Sequence, residues 1–165
     1  MVRAAVSVAH ARGLLMLKKL SLVLALASTA AVANAEAWRM AGASNGAVTL
    51  VDQDSVKKTG ATVRYWYDLR FAKALPAGTN RVLTLVEADC DESSYRELAR
   101  HMYIGEAARG SSSVSIDRQY APPGSLIADT INAACTGKYD TNPIPREVIT
   151  PFVRDFLLAV AKMSR

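Results

Sequence analysis

The strongest constraint on the fold is a segment in which apolar and polar side chains alternate. Residues 61–71 read ATVRYWYDLRF, and a period of two is typical of a β-strand that buries one face. Every second position from Ala61 to Phe71 is apolar and predicts a core face. The other face is predicted to be mostly exposed to water, and its residues are Thr62, Arg64, Trp66, Asp68 and Arg70.

Signals before and after this segment predict an antiparallel sheet. Asn45-Gly46 favours a tight hairpin turn between strands at 38–43 and 47–52. A further strand is predicted at 81–89, and it ends next to a cysteine. Polar residues and a closing glycine at 52–60 indicate the turn that leads into the alternating strand.

The next part of the chain is more ambiguous. Residues 95–104 carry helix-forming residues, but we favour a strand because their apolar residues lie at even spacing. The glycine, serine and alanine content of residues 105–124 indicates a mobile loop. One short strand is predicted inside that loop, at 113–116.

A helix is predicted after the loop. Ser125 follows Pro-Pro-Gly and is a good N-cap, and Ile127, Ile131 and Ala134 recur at helical spacing. Cys135 lies beside this apolar stripe. The helix therefore has one face suited to packing on the sheet.

The segment 137–165 predicts a linker and a C-terminal amphipathic helix. We expect Thr150 to cap this helix and Pro151 to take its first position, where proline is tolerated. Its apolar stripe consists of Phe152, Phe156, Val160 and Met163, and it is widened by Val153 and Leu157. We expect the stripe to dock on the protein's own domain, and the alternative is a contact with a partner or a membrane.

Residues 1–35 have the three parts of a cleavable secretory signal. Lys18-Lys19 supply positive charge, residues 20–32 form an apolar run, and small residues up to Ala35 predict cleavage before Glu36. A membrane-spanning helix would need roughly 20 apolar residues, and an uncleaved anchor is the alternative. We expect export to the periplasm, the cell surface or the medium, and no lipid anchor, because no cysteine follows the cleavage site.

The charge of the predicted mature chain excludes some classes of partner. The whole chain has 20 Lys and Arg against 15 Asp and Glu, but its first 35 residues contain basic residues and no acid. The mature protein is therefore nearly neutral, and neither nucleic acid nor an acidic membrane surface is a predicted partner. No integral membrane span is predicted after cleavage.

Residues that could carry catalysis are too sparse to predict an enzyme. His101 is the only histidine after the signal, and no nucleophile motif accompanies it. The acidic residues at 87–92 lack a partner motif, so we interpret them as a solvated edge.

Asp52 and Asp54 suggest a calcium loop, but the glycine and glutamate of that motif are missing and a self-capped turn is favoured. No metal or cofactor is predicted.

Candidate binding residues lie on the polar face of the alternating strand. Arg64, Trp66 and Asp68 place an aromatic ring between two opposite charges, and tryptophan and arginine are enriched in protein interfaces. The alternative is that Trp66 is covered by the C-terminal helix or by a second layer.

Cys90 and Cys135 are the only cysteines in the chain. In an oxidising compartment such a pair most simply forms one disulfide, which would join a strand to the helix after Ser125. The alternative is two free thiols or a metal pair, which only His101 could assist.

The order of these features resembles the surface-adhesin protein E family of exported proteobacterial proteins. The matching residues are Trp38, Val51, Asp52, Ser55, Val56, Gly60, Arg64, Trp66, Glu87, Asp89, Cys90, Pro123, Gly124, Ser125 and Cys135. The resemblance covers about residues 36–136 and implies an antiparallel sheet packed on a helix, with the two cysteines bonded. The segment 137–165 has no counterpart in the family pattern.

We therefore expect an α+β fold in which a domain at 36–136 lies between a signal at 1–35 and a tail at 137–165. An antiparallel β-sheet packs against an α-helix, with one disulfide and an extra C-terminal helix. The resemblance implies adhesion, because the family's best-known member binds host matrix and plasma proteins. We expect a non-catalytic protein that binds a host-matrix or envelope protein, and the alternative is a periplasmic structural role without adhesion.

Overall fold

The computed structural model describes residues 37–44, 46–112, 114 and 117–163. The predicted signal at 1–35 and its cleavage site lie outside the described residues, and they stay predictions. Within the described part of the chain, no helix is both long enough and apolar enough to cross a membrane.

The described residues form an antiparallel sheet with eight strands. The strands are β1 (Trp38–Ser44), β2 (Ala47–Asp52), β3 (Lys57–Thr59), β4 (Thr62–Phe71), β5 (Arg81–Asp89), β6 (Ser94–Ile104), β7 (Ala107–Ser112) and β8 (Gln119–Tyr120). Their main order is β1-β2-β4-β5-β6-β7, with β3 paired to one end of β4 and β8 to one end of β6. Each long strand lies beside the next long strand in the sequence, as in a meander.

The predicted hairpin and the strand interpretation of residues 95–104 are confirmed. Gly46 has a φ of +108° in the β1–β2 turn, which favours glycine. The prediction that residues 105–124 form a loop is wrong for residues 107–112, which form β7. This edge strand has the sequence AARGSS and is specified by backbone pairing with β6, so it carries no alternating pattern. Most of the short strand predicted at 113–116 falls on residues that are not described.

Helix α1 (Leu126–Thr136) begins and ends as the sequence predicts. The Ser125 hydroxyl accepts a hydrogen bond from the Ala128 N–H at 3.3 Å, which satisfies one of the unpaired N–H groups of the first turn. At the other end Gly137 has a φ of +71°, and its N–H donates to the carbonyl of Ala133.

Helix α2 (Arg146–Met163) begins one turn earlier than the sequence predicts. The prediction of Thr150 as cap and Pro151 as first residue is wrong, because Pro151 lies inside the helix. The proline removes one backbone hydrogen bond. Ile149 is nevertheless 2% exposed in the extra turn, and its burial offsets that loss.

The two helices cover opposite faces of the sheet. On the α1 face, Ile131 packs with Val51, Tyr65 and Val86 from the central strands. The Tyr65 hydroxyl lies 3.0 Å from Thr130 Oγ1 of α1, and burial raises its pKa well above the ordinary value. This hydrogen bond fixes the helix against the strand that the alternation predicted.

On the α2 face, the helix contributes Ile149, Val153 and Leu157 to a second core cluster. The sheet residues of this cluster are Trp38, Met40, Val48 and Leu50. The C-terminal helix therefore docks on its own sheet, which confirms the predicted docking. The docked residues Val153 and Leu157 belong to the predicted stripe, whereas Ile149 lies in the turn that the prediction left out.

A disulfide joins Cys90, which follows β5, to Cys135 in the last turn of α1. The S–S distance is 2.02 Å and the Cα atoms are 5.7 Å apart. The predicted α+β class is thus confirmed, with its antiparallel sheet, its packed helix, its extra C-terminal helix and its single bond.

Candidate functional site

Helix α2 covers only part of its sheet face. Some of the predicted binding residues of β4 lie on the covered part of this face, and the others lie on the uncovered part. Arg64 keeps 54% of its side chain exposed, and Trp66 is partly exposed. Asp68 is fully buried and Arg70 nearly so. The prediction that this strand face is mostly exposed is therefore wrong at Asp68 and Arg70, because packing of α2 removes both from water.

Asp68 belongs to a buried ionic cluster. Its Oδ2 accepts hydrogen bonds from Arg70 Nε and Arg81 Nε, both at 2.9 Å. The strand register pairs Arg70 with Arg81 and brings both guanidinium groups to one carboxylate. We call the group the Asp68 cluster, and its residues are Asp68, Arg70, Arg81, Glu106 and Thr150. Asp68 thus stabilises the interior of the protein and does not join Arg64 and Trp66 on an accessible surface.

The uncovered part of the α2 face is centred on Trp66. Its indole ring lies 5.6 Å from the His101 ring, centroid to centroid. Trp66 is paired in register with Leu85 of β5, which is also partly exposed. Two adjacent rings and an aliphatic side chain form a surface that large apolar side chains of a partner could contact.

A turn before β3 fixes the backbone of Trp66. The Trp66 N–H donates to Ser55 Oγ at 2.8 Å, and the Ser55 hydroxyl lies 2.7 Å from the carbonyl of Asp52. The Asp52 carboxylate accepts a hydrogen bond from the Asp54 N–H at 3.1 Å. The predicted self-capped turn is confirmed, and the aspartate and serine of the family pattern both support the strand that carries Trp66.

Three arginines surround Glu87 at the edge of this surface. Arg64 Nη2 donates to Glu87 Oε2 at 2.8 Å, and Arg96 Nη2 and Arg118 Nη2 lie 2.7 Å and 3.7 Å from Oε1. Only 12% of the Glu87 side chain is exposed, so interpreting it as part of a solvated acidic edge is wrong. Its hydrogen bond with Arg64 is the largest cause of a lowered pKa for this carboxyl.

The arginines leave this region with more positive than negative charge. Arg96 and Arg118 keep 40% and 37% of their side chains exposed. The Glu87 carboxylate accepts hydrogen bonds from Arg64 and Arg96, and Arg118 donates to Ser94 Oγ at 3.1 Å, so all three guanidinium groups are positioned before any partner arrives. We call the whole region the Trp66 surface, and its residues are Arg64, Trp66, Leu85, Glu87, Arg96, His101 and Arg118.

Sequence reasoning found two residues of this surface and missed the others. The pairing of Glu87 with Arg96 follows from the β5–β6 hairpin register, so the two predicted strands contained a signal for it. Arg118 precedes β8, which pairs with the start of β6. The two-residue strand carries no alternating pattern that could have placed Arg118 beside Glu87.

The predicted partner-helix residues are only partly accessible. Phe152 and Phe156 stack with centroids 6.3 Å apart and are partly buried against the α2-face core. Val160 is also partly buried, whereas Met163 is 79% exposed. Most of the stripe is therefore used in docking, and its role toward a partner stays a prediction.

The positions of the ligand-type side chains show whether the described residues could hold a metal ion. Among them, no group of three or more histidine, cysteine, aspartate or glutamate side chains is placed to hold a metal ion. The acidic side chains at the β5–β6 turn are used locally, since Asp89 Oδ1 accepts hydrogen bonds from the N–H groups of Asp91 and Glu92.

Comparison with known proteins places the fold in a family. The family model described as Surface-adhesin protein E matches residues 38–136, from β1 to the end of α1. No curated protein and no solved structure matches the chain. The matched segment contains the disulfide and the Trp66 surface, and it leaves out α2. Because the match covers more than half of the chain, this protein belongs to the surface-adhesin protein E family.

Proposed function

We propose that this protein is an exported, non-catalytic binding domain that contacts an extracellular or envelope protein through the Trp66 surface. The observation that carries the proposal is a partly exposed tryptophan beside Arg64, on the part of the sheet that α2 leaves uncovered. Both residues lie inside the segment that matches an adhesin family.

The physical character of the surface supports a protein partner. Tryptophan and arginine are the residues most often found to dominate the energy of protein interfaces. The Trp66 backbone is fixed by Ser55 and the Arg64 guanidinium by Glu87. A surface that is already ordered loses less conformational entropy when it binds.

Export is supported by two separate features. Residues 1–35 have the pattern of a secretory signal, and Cys90 and Cys135 are bonded. Disulfides persist in oxidising compartments such as the periplasm and the extracellular space.

The binding test uses the predicted mature chain, residues 36–165, and surface plasmon resonance against a panel of purified matrix and plasma glycoproteins. We expect Trp66→Ala to weaken binding by at least about thirtyfold, the loss that defines a hot spot. Met102→Ala is the matched control, since Met102 follows His101 in β6 and is 42% exposed on the opposite face. Equal binding by wild type and Trp66→Ala would contradict the proposed surface.

Two further measurements separate the alternatives. If Trp66→Ala loses about 3–5 kcal/mol of stability on thermal melting, the ring is a core element and does not belong to a binding surface. Protease accessibility on intact cells then tests location. Surface exposure supports adhesion, whereas retention in the periplasm excludes it and favours an envelope role.

A further inference from the structure

A half-open cleft of about 470 Å³ lies between α2 and the chain that follows β4 and β6. Its volume is within the range of small-molecule sites. One wall comes from α2, and its apolar residues are Val153, Leu157, Leu158 and Ala161; Arg154 also lines it. The floor is charged and comes from Arg70, Arg81 and Glu106. The cleft therefore combines a hydrocarbon surface with a site for ionic groups.

The charged floor already holds a carboxylate. Glu106 Oε2 accepts a hydrogen bond from Arg81 Nη1 at 2.7 Å, and Oε1 accepts one from Thr150 Oγ1 at 2.7 Å. Arg70 Nη1 lies 3.5 Å from Oε1. Two guanidinium groups and a hydroxyl thus recognise one carboxylate, which is the geometry that proteins use for carboxylate ligands.

The donors are buried, but the carboxylate is not. The side chains of Arg70 and Arg81 are 10% and 14% exposed, whereas that of Glu106 is 60% exposed. Glu106 lies in the turn between β6 and β7, after Gly105. Asp68 binds Nε of both arginines, so the arginines stay in place if Glu106 moves away. The donor groups are therefore already in place, and the Glu106 carboxylate that they now bind belongs to an exposed turn.

We propose that this cleft binds a single-chain anionic amphiphile. Its headgroup takes the place of the Glu106 carboxylate on Arg70, Arg81 and Thr150, and its alkyl chain lies along the apolar wall of α2. Lys73 also lines the cleft and favours an anion over a cation.

This site is independent of the Trp66 surface, because it lies under α2. It is also a property of this chain and not of the matched segment alone. The apolar wall and Thr150 belong to α2, which lies after residue 136, where the family match ends. Whether an amphiphile binds in this cleft therefore does not depend on which partner binds the Trp66 surface.

Isothermal titration calorimetry of residues 36–165 with monomeric sodium decanoate at pH 7 tests the proposal. We expect Glu106→Gln to tighten binding about threefold, since it removes the competing carboxylate, whose side chain is 60% exposed. We expect Leu158→Ser to weaken binding about fivefold, because Leu158 is 56% exposed and lines the apolar wall. Decyl phosphate, run in parallel, distinguishes a lipid phosphate from a free fatty acid as the preferred source of the anion.

Two matched controls should leave decanoate affinity unchanged. Glu92→Gln changes a glutamate in the turn before β6, and Leu75→Ser changes a leucine that is 41% exposed and does not line the cleft. Circular dichroism confirms folding, and if Glu106→Gln does not fold, Leu158→Ser decides alone. Absence of decanoate binding to wild type and Glu106→Gln at millimolar concentration would overturn the proposal. Equal affinity for decyltrimethylammonium, or for acetate, would also overturn it.

Discussion

Replacing Asp68 with asparagine should lower the free energy of unfolding by about 3 kcal/mol or more. The Asp68 carboxylate is fully buried and accepts hydrogen bonds from Arg70 Nε and Arg81 Nε at 2.9 Å. Asparagine has nearly the same shape but no charge. The change leaves Arg70, whose side chain is 10% exposed, with Glu106 at 3.5 Å as its remaining anionic partner among the described residues.

The magnitude follows from two estimates. Removing one partner of a buried ion pair costs about 3–5 kcal/mol, and each hydrogen bond to a charged group contributes about 1.5–3 kcal/mol. Asp68 makes such bonds to two arginines, so the second estimate gives about 3–6 kcal/mol. The amide oxygen of asparagine can still accept a hydrogen bond, which places the expected loss near the lower end of both ranges.

Urea unfolding at pH 7, followed by far-ultraviolet circular dichroism, measures this loss. For a slope of about 2 kcal/mol per molar urea, the midpoint should fall by roughly 1.5 M with the slope unchanged. Glu106→Gln is the control within the same cluster. Since the Glu106 side chain is 60% exposed, its loss should cost at most about 1 kcal/mol.

A triple replacement separates charge from packing. Asp68→Leu with Arg70→Met and Arg81→Met removes the three charges that meet at Asp68, and it should recover most of the lost stability because an apolar cluster needs no ionic partner. If Asp68→Asn lowers stability by less than about 1 kcal/mol with an unchanged slope, the reasoning that treats this cluster as a buried ion pair is refuted.

Two other predictions concern the covalent and ionic links of the sheet. Cys90→Ala with Cys135→Ala should lower the free energy of unfolding by about 4 kcal/mol on the chain-entropy model, because the bond spans 45 residues; a loss below about 1 kcal/mol in non-reducing buffer would contradict this. Arg64 lowers the pKa of Glu87 below its ordinary value of 4.5, so the ion pair stabilises the fold above that pH and its contribution is lost as the pH falls through the lowered value. The free energy of unfolding, measured from pH 7 to pH 3, should therefore decrease on the acid side, and it should decrease less steeply in Glu87→Gln than in the wild type. The same dependence on pH in both proteins would exclude this linkage.

The sequence could predict elements whose signals are local. The alternation at residues 61–71 predicted β4, the Ser125 cap predicted the start of α1, and the cysteine pair predicted the disulfide. Each signal depends on neighbouring residues or on a simple count. The recognised family pattern was also confirmed, and it covers β1 to α1.

The environment of each polar residue could not be predicted in the same way. Arg64 and Asp68 occupy the same face of one strand, yet one is exposed and the other is fully buried. The difference depends on where α2 lies, and α2 begins 78 residues after Asp68. A period of two assigns a side chain to a face of the sheet, but it does not show which part of that face another element covers.

The position of α2 also determines which part of the sheet a partner can reach. The family-matched segment carries Trp38 and Leu50, which are 4% and 0% exposed, and in this chain they pack in a cluster with Ile149 and Leu157 of α2. A sheet face with such residues needs an apolar cover, because exposed apolar patches of that kind are costly in water. Since α2 supplies the cover, it is a structural part of this protein, and the sheet residues beneath it are not available to a protein partner. The surface that remains is the one around Trp66, where the same sheet face is uncovered and charged.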